Sequence, residues 1–218
     1  MGGIMQRGMV RKLDLEKAIS QIEPHPMPKA YLEQYTISSE AAAEILYMAT
    51  YVYDDIIGKT IVDLGCGTGR LAIGAALLGA RETVGVDIDK IAVRWARKSA
   101  EKMGVKEKTH WLVADVNVIR GFFNTLLQNP PFGVQRRGAD RKFIKKSLEL
   151  GHRIYSLHKS GESNREFIKR FIERNGGKVM GIFLMEMDNP RLFEFHTKRK
   201  RRIKVDLYRV EGRGRESS

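Results

Sequence analysis

A chain of 218 residues is long enough for one α/β domain and short for two. Its formal net charge of +13, from 39 Lys and Arg against 26 Asp and Glu, favours a polyanionic partner such as a nucleic acid, although such a surplus also promotes solubility. Cys66 is the single cysteine, which excludes an intrachain disulfide and a cysteine-cluster zinc site, and no metal site is expected. The sequence has no apolar run of membrane-spanning length and no signal-peptide pattern, so we expect a cytoplasmic protein without a membrane partner.

The N-terminal part of the sequence is predicted to form two helices joined by a connector. Within residues 1–20, apolar positions among charged residues indicate a short amphipathic helix, and the prolines between residues 24 and 28 favour a stiff connector. Ser38 or Ser39 is the expected N-cap of an alanine-rich helix. Its core-facing stripe is predicted to contain Ala42, Ile45, Leu46, Ala49 and Val52. We therefore predict a helix and connector over 1–30, one domain over 31–210 and a disordered tail over 211–218.

From residue 60 the hydrophobic pattern alternates between strands and helices. Strands are predicted at 60–64, 83–86, 111–114 and 125–128, with helices at 70–78 and 90–103. Further strands are predicted at 153–157, 179–187 and 203–210, and an amphipathic helix at 162–174. This alternation predicts an α/β fold with a mostly parallel sheet and helices on both faces.

A glycine-rich loop follows the first of these strands, where close approach of a ligand to the backbone is favoured. Gly65, Gly67 and Gly69 are spaced differently from the dinucleotide-binding fingerprint, because the third glycine comes one residue early and Arg70 takes its place. Asp63, just before the loop, would repel a pyrophosphate. A cofactor with a cationic centre and no phosphate, such as S-adenosylmethionine, suits these charges better.

Two more acidic residues end the next two predicted strands. Asp87 is placed to accept hydrogen bonds from both ribose hydroxyls of the cofactor, and Asp115 to accept one from the amine of its adenine. Both belong to the crevice where open α/β sheets bind ligands, and Ile88 and Val116 are expected to border the cofactor beside them. The alternative interpretation is that Asp87 and Asp115 only form turns.

The tetrad Asn129, Pro130, Pro131 and Phe132 ends the fourth predicted strand and is the candidate catalytic motif. The prolines remove two N–H donors, so the Asn129 side-chain oxygen and the Pro130 carbonyl can each accept one hydrogen of an –NH2 group. That arrangement would turn the nitrogen lone pair toward the methyl donor, while Phe132 stacks on the planar group that carries the amine. The alternative is that the two prolines merely terminate a strand.

Together these motifs resemble class I S-adenosylmethionine-dependent amino methyltransferases. More narrowly, residues 32–35 (Leu-Glu-Gln-Tyr), residues 155–159 (Tyr-Ser-Leu-His-Lys) and the late Phe195-His196 pair resemble the archaeal and eukaryotic family that methylates N6 of an adenine in small-subunit ribosomal RNA. The resemblance implies a Rossmann-like, seven-stranded sheet with an antiparallel last strand. It also implies that Gln34, Thr36, Thr68 and Arg70 border the cofactor with the residues named above.

One departure from the family pattern concerns Thr36. Eukaryotic members have Pro and then Thr after the Gln-Tyr pair, whereas here Thr36 follows directly and Ile37 stands at the family's Thr position. Eukaryotic members also need a small zinc-binding activator protein, so the resemblance makes such a protein a candidate partner beside RNA.

Several basic residues are candidates for contact with RNA phosphates. The stretch 191–204 is interpreted as an RNA contact, with a merely solvated hairpin as the alternative, and the pairs at 136–137 and 145–146 would extend that surface. His158 and His196 are interpreted as structural or RNA-contacting, because methyl transfer to an amine needs no base that titrates near neutral pH.

Three other functions stay open on the sequence alone. A protein glutamine-N5 methyltransferase would use a similar tetrad, usually with Tyr in place of Phe132, and has no evident need for a charge of +13. The other two are RNA guanine-N2 methylation and a non-catalytic RNA-binding assembly factor.

Overall fold

The computed structural model describes residues 9–34, 36–132, 138–188 and 202–213. Within these ranges the helices are α1 Lys12–Ser20, α2 Ser39–Tyr47, α3 Arg70–Leu77, α4 Lys90–Lys102, α5 Ala139–Leu150 and α6 Glu162–Arg174. The strands are β1 Thr60–Leu64, β2 Glu82–Asp87, β3 Thr109–Val113, β4 Phe123–Gln128, β5 Gly151–Lys159, β6 Lys178–Asp188 and β7 Arg202–Glu211. Short 3₁₀ turns occur at Ala30–Leu32, Lys106–Lys108 and Val116–Val118.

The strands form one sheet in the order β3-β2-β1-β4-β5-β7-β6. Neighbouring strands from β3 to β5 are parallel, whereas β7 is antiparallel to both β5 and β6. The prediction of a Rossmann-like, seven-stranded, mostly parallel sheet with an antiparallel last strand is confirmed. The strand order reverses between β1 and β4, and in such sheets this switch point is where ligands bind.

Two apolar clusters cover the two faces of the sheet. Leu15 and Ile19 of α1 belong to the cluster that also contains buried residues of α2 and α3, so the N-terminal helix packs into the same core as the rest of the chain. Ile144, Ile168 and Ile172 from α5 and α6 belong to the cluster on the other face. The strands between them carry near-continuous apolar runs, as expected for a sheet covered on both sides.

One prediction for the helix α2 was wrong. Ser38 caps the helix, since its hydroxyl oxygen accepts a hydrogen bond of 3.1 Å from the Ala41 amide, and Ala42 through Ala49 of the predicted stripe are buried. The chain then continues as a π-helical turn, Met48–Val52, in which Val52 is 64% exposed. A π turn holds more residues than an α turn, so the stripe that reaches Ala49 rotates away from the core before Val52.

The last strand continues through Glu211, which pairs with Arg153 of β5. The amides of Gly212 and Arg213 also donate hydrogen bonds to the chain, so described structure extends three residues into the predicted tail. Residues 214–218 lie outside the described residues. None of the helices that the structure describes has both the length and the apolar composition needed to cross a bilayer.

Candidate active site

A cavity of about 490 Å³ lies at the carboxyl ends of the parallel strands. Thirteen of the predicted site residues line it: Gln34, Thr36, Asp63, Gly65, Gly67, Thr68, Arg70, Asp87, Ile88, Asp115, Val116, Asn129 and Pro131. Gly69, Pro130 and Phe132 are absent from its lining. The structure therefore brings the glycine loop, the three strand-end acids and part of the tetrad to one place.

The glycine loop is fastened to the end of β2. The amides of Gly65 and Cys66 both donate to the Val86 carbonyl oxygen, at 2.8 and 3.0 Å. Gly65 and Gly67 have φ values of 72° and 53°, a region that favours glycine, and their backbones face the cavity. A side chain at Gly65 would also meet the Phe143 ring at 3.1 Å. These two glycines bring bare backbone to the cavity wall.

Gly69 packs closely against a side chain of β3. It has a φ of 88°, and a Cβ built on it would lie 2.6 Å from Cη2 of Trp111. The Trp111 side chain occupies the space beneath the loop, and Gly85 in β2 is equally close to its ring. Gly69 is therefore required for packing against β3, and nothing places it at the cavity.

Asp87 shapes the loop while it faces the cavity. Its Oδ2 accepts a hydrogen bond of 2.9 Å from the Gly67 amide and its Oδ1 accepts one of 2.8 Å from the Asp89 amide. Burial raises the pKa of this carboxyl, and the two amides oppose that rise. Each carboxylate oxygen retains a lone pair, which suits a group that must also accept from ribose hydroxyls.

Asp63 is the most deeply buried acid of the cavity wall. It is 1% exposed, and its Oδ2 accepts a hydrogen bond of 3.1 Å from the Ala72 amide in α3. Burial, together with the nearby charge of Asp87, raises the pKa of Asp63 to about 7. A carboxyl in this state gains strongly from a cation placed beside it.

Asp115 forms an ion pair that sequence reasoning missed. Its Oδ1 accepts a hydrogen bond from the Asn117 amide at 2.9 Å, and its Oδ2 lies 2.6 Å from the Lys142 ammonium of α5. The Lys142 contact lowers the pKa of Asp115. Lys142 also lines the cavity. Nothing in the local sequence marks it, because only the fold brings the first turn of α5 to the end of β3.

The connector covers the cavity as a strap, which we call the covering segment (residues 22–34, 36 and 37). Arg70 holds both of its ends: the guanidinium donates to the Ile37 carbonyl at 2.6 Å and to the Ile22 carbonyl at 3.0 Å. Arg70 was predicted to contact the cofactor. The structure places Arg70 at the cavity, but its guanidinium donates to the carbonyls of the covering segment.

Asp89 holds the middle of the covering segment. Its Oδ2 accepts hydrogen bonds from Gln34 Nε2 at 2.9 Å and from the Lys29 ammonium at 3.1 Å, and His25 Nε2 lies 3.4 Å away. Although burial opposes ionisation of Asp89, the bonds from Gln34, the Ile91 amide and Lys29 keep its pKa at about 2. Gln34 is thereby fixed at the cavity, with its Oε1 accepting from the Lys29 amide at 2.7 Å.

The tetrad contacts two cavities. Asn129 and Pro131 line the first, whereas Phe132 lines a second cavity of about 550 Å³ together with residues of β5 and α6. Pro130 is buried. The two ends of the tetrad therefore face different spaces, so a planar group that lies on Phe132 would approach the first cavity from the second.

A chain of buried polar groups supports the tetrad from β5. Gln128 Nε2 donates to Ser156 Oγ at 2.8 Å, and Ser156 Oγ is bonded to His158 Nε2 at 2.7 Å. Burial lowers the pKa of His158 to about 3, so this side chain is neutral at physiological pH. This geometry agrees with the structural role expected for His158.

Of the basic residues predicted to bind RNA, Lys146 was assigned wrongly. It is 6% exposed, and its ammonium donates to Glu149 at 2.8 Å and to the Ile119 carbonyl at 3.2 Å. Its neighbour Lys145 is exposed. The pair at 136–137, most of the stretch 191–204 and His196 lie outside the described residues.

Comparison with known proteins identifies relatives of the chain. The family model "Ribosomal protein L11 methyltransferase (PrmA)" matches residues 47–129, which span β1 to β4 and the first residue of the tetrad. The rRNA N6-adenosine-methyltransferase of Drosophila melanogaster is 34% identical, over 95% of this chain and 98% of its own length. That of Danio rerio is 35% identical, over 90% of this chain and 96% of its own. The chain belongs to the rRNA N6-adenosine-methyltransferase family.

A solved crystal structure has a fold similar to that of this chain. The crystal structure of a proposed RNA methyltransferase from Pyrococcus horikoshii is 38% identical, superimposes with a TM-score of 0.86, and covers 94% of this chain and 99% of its own. The similarity to this solved structure therefore extends over nearly the whole chain.

Proposed function

We propose that this protein transfers the methyl group of S-adenosylmethionine to the N6 amine of an adenine in RNA, and that the RNA is small-subunit ribosomal RNA. The observation that carries the proposal is the position of Asn129, at the wall of the cavity that Asp63, Asp87 and Asp115 also line. Similarity to rRNA N6-adenosine-methyltransferases along nearly the whole chain supports the choice of acceptor.

The cavity fits S-adenosylmethionine group by group. The backbone of Gly65 and Gly67 allows close approach, Asp87 would accept from the ribose hydroxyls, and Asp115 would accept from the adenine amine. Asp63 supplies a buried carboxyl for the cationic end. When bound, this cofactor supplies a methyl group on a positively charged sulfur.

The residues of the tetrad would act on the acceptor amine. The Asn129 side-chain oxygen and the Pro130 carbonyl each accept one hydrogen, which aims the nitrogen lone pair at the methyl group. The nitrogen gains the methyl group and then loses a proton to water. Such orientation alone can supply about 7–11 kcal/mol. Because His158 is neutral and its Nε2 is bonded to Ser156, we assign it a supporting role and no proton transfer.

We also propose a small zinc-binding activator protein as a partner, which the family resemblance favours. β3 is an edge strand of the sheet and exposes Leu112 (44%) and Val113 (55%), with Val118 (64%) beside it. An edge strand with exposed apolar side chains is suited to pairing with another protein. Val113→Asp should prevent co-purification of the activator, and retention of the complex would argue against this surface.

The test of the proposed function is methyl transfer from labelled S-adenosylmethionine to unmodified ribosomal RNA, followed by nucleoside analysis. We expect N6-methyladenosine from the wild type and a loss of about 10²–10³-fold in kcat for Asn129→Ala, because one oriented polar contact is removed. Gln21→Ala, which changes an exposed amide at the end of α1, is the matched control. Label in N2-methylguanosine would contradict the choice of acceptor.

The match to the ribosomal protein L11 methyltransferase model is the observation that favours a second function, methylation of a protein. It covers residues 47–129, which contain the predicted cofactor-binding residues except Gln34 and Thr36, and only the first residue of the tetrad. Label recovered in protein, with none in RNA, would support this second function.

A further inference from the structure

The second cavity extends the site in a direction that the tetrad does not explain. It has a volume of about 550 Å³, within the range of pockets that take small ligands. Phe132 contributes to one part of its wall and Phe167 of α6 to another. A planar group on Phe132 would therefore have a second aromatic ring in the same cavity, supplied by a different element of the fold.

Phe167 is a partly exposed aromatic residue of α6. It is 39% exposed on a helix whose buried side consists of Ile168 and Ile172, so the core does not require it. Its ring lies 6.0 Å from that of Phe171, at an interplanar angle of 22°. Phe171 is half-buried against the core, so Phe167 is the exposed ring of this pair.

Two cations of α5 lie over these rings. The Arg141 guanidinium carbon is 4.8 Å from the centre of the Phe167 ring, and the Lys145 ammonium is 5.9 Å from that of Phe171. We call these four residues the aromatic ridge. Both cations are exposed, and within the described parts of the chain neither forms an ion pair with a carboxylate.

The charge around the ridge favours one class of ligand. Lys159 lines the second cavity and is exposed, so it adds a third cation, while Asp140 and Glu162 are the carboxylates of the lining. Aromatic rings that bear Arg or Lys are the combination that binds single-stranded nucleic acids, since bases stack on the rings and phosphates pair with the cations. An acidic partner without planar groups would leave the rings unused.

We propose that the aromatic ridge binds the nucleotide next to the target adenosine, with its base stacked on Phe167 and its phosphate near Arg141. This inference rests on the proposed function, which supplies the RNA, and adds the path by which the strand leaves the tetrad. The target base lies on Phe132 and the strand continues through the second cavity toward α5 and α6.

The key variant is Phe167→Leu, which keeps an apolar side chain and removes the ring. With a short single-stranded RNA that contains the mapped adenosine, KM for RNA should rise about 5- to 20-fold, while kcat changes less than twofold. Phe167→Trp should retain the wild-type KM. The matched control is Leu13→Ala, which trims a side chain that is 56% exposed on α1, against the opposite face of the sheet.

A direct readout of stacking is the fluorescence of 2-aminopurine placed beside the target adenosine. Binding to the wild type should quench it, and Phe167→Leu should restore it. If Phe167→Leu proves unfolded, Arg141→Gln replaces it and should raise KM about 3-fold or more through the lost phosphate contact. Equal KM values and equal quenching in variant and wild type would overturn the ridge and leave the proposed function intact.

Failure of the proposed function can be distinguished from failure of the aromatic ridge. A wild type that methylates no RNA refutes that function, and the ridge is then decided by RNA affinity, measured by fluorescence anisotropy without methyl transfer. Weaker RNA binding by Phe167→Leu than by Leu13→Ala would still support the ridge. Equal binding would refute it.

Discussion

Replacing Asp63 by asparagine should remove a pH dependence from cofactor binding. Asp63 is 1% exposed, and its pKa is raised from 3.8 to about 7 by burial and by the charge of Asp87. At pH 6 most molecules of the free protein therefore carry a neutral Asp63. A cationic cofactor favours the carboxylate, so its binding requires loss of this proton below pH 7.

The expected change in cofactor affinity follows from the pKa of about 7 for Asp63 in the free protein. At pH 8 about nine tenths of Asp63 is ionised in the free protein and at pH 6 about one tenth, so the affinity for S-adenosylmethionine should fall about tenfold over this interval. In Asp63→Asn this tenfold change in affinity with pH should disappear, because the amide does not titrate. The amide oxygen can still accept the hydrogen bond from Ala72 that the carboxylate accepts now.

Titration calorimetry between pH 6 and pH 8 gives the affinities. The difference between wild type and variant at each pH is the decisive quantity, because titration of the cofactor's own amino group cancels in it. Two parallel plots of log Kd against pH would refute the reasoning, since they would show that Asp63 does not change its ionisation when the cofactor binds.

The raised pKa of Asp63 also makes the stability of the free protein depend on pH. A carboxyl whose pKa is higher in the folded state contributes stability that is complete below about pH 4 and is lost as pH rises to 7. From 3.8 to about 7 the loss is roughly 4 kcal/mol. Urea unfolding should therefore show that Asp63→Asn gains stability relative to the wild type as pH rises from 4 to 7.

Three further substitutions test other parts of the site. Asp87→Ala should weaken S-adenosylmethionine binding by about 1–3 kcal/mol through lost ribose hydrogen bonds, and unchanged affinity in calorimetry would contradict the assigned contact. Gly69→Ala should lower the free energy of unfolding by about 1–3 kcal/mol, because φ is 88° and the new Cβ would lie 2.6 Å from Trp111; a wild-type urea midpoint would disprove this packing. Asp89→Asn keeps the cap of α4 but loses the charge that holds Lys29, so hydrogen exchange over residues 25–34 should accelerate. Since the pKa of Asp89 is about 2, the stability that its carboxylate contributes is present above about pH 4 and is lost as pH falls through 2. A difference in urea midpoint between wild type and Asp89→Asn that stays constant as pH falls would contradict this contribution.

Several strands and helices were predictable because their signal is local. Alternating apolar runs marked β1 to β4, and the predicted helix at 162–174 coincides with α6. Ends were less accurate where a partner strand decides them. β5 was predicted at 153–157 and extends over Gly151–Lys159, because it pairs with β4 on one side and β7 on the other.

The candidate site was predictable where a residue ends a strand. Asp63, Asp87 and Asp115 converge because carboxyl ends of neighbouring parallel strands share one edge. Lys142 and Asp89 were missed, since an ordinary helix residue and a helix cap gain their roles only from tertiary contacts. Arg70 and Gly69 lie in or beside the glycine-rich loop, but the loop sequence does not reveal their contacts. Arg70 donates to a backbone carbonyl of the covering segment, and Gly69 leaves space for the Trp111 ring.

If Asn129 presents an adenine amine to a methyl donor held in the first cavity, its removal should slow methyl transfer without weakening cofactor binding. The most direct test is single-turnover methyl transfer to unmodified small-subunit ribosomal RNA by wild type and Asn129→Ala, with S-adenosylmethionine affinity measured in parallel. We expect N6-methyladenosine from the wild type, a rate at least about 100-fold lower in the variant, and equal cofactor affinity. A variant that methylates adenine at the wild-type rate would contradict this role of Asn129.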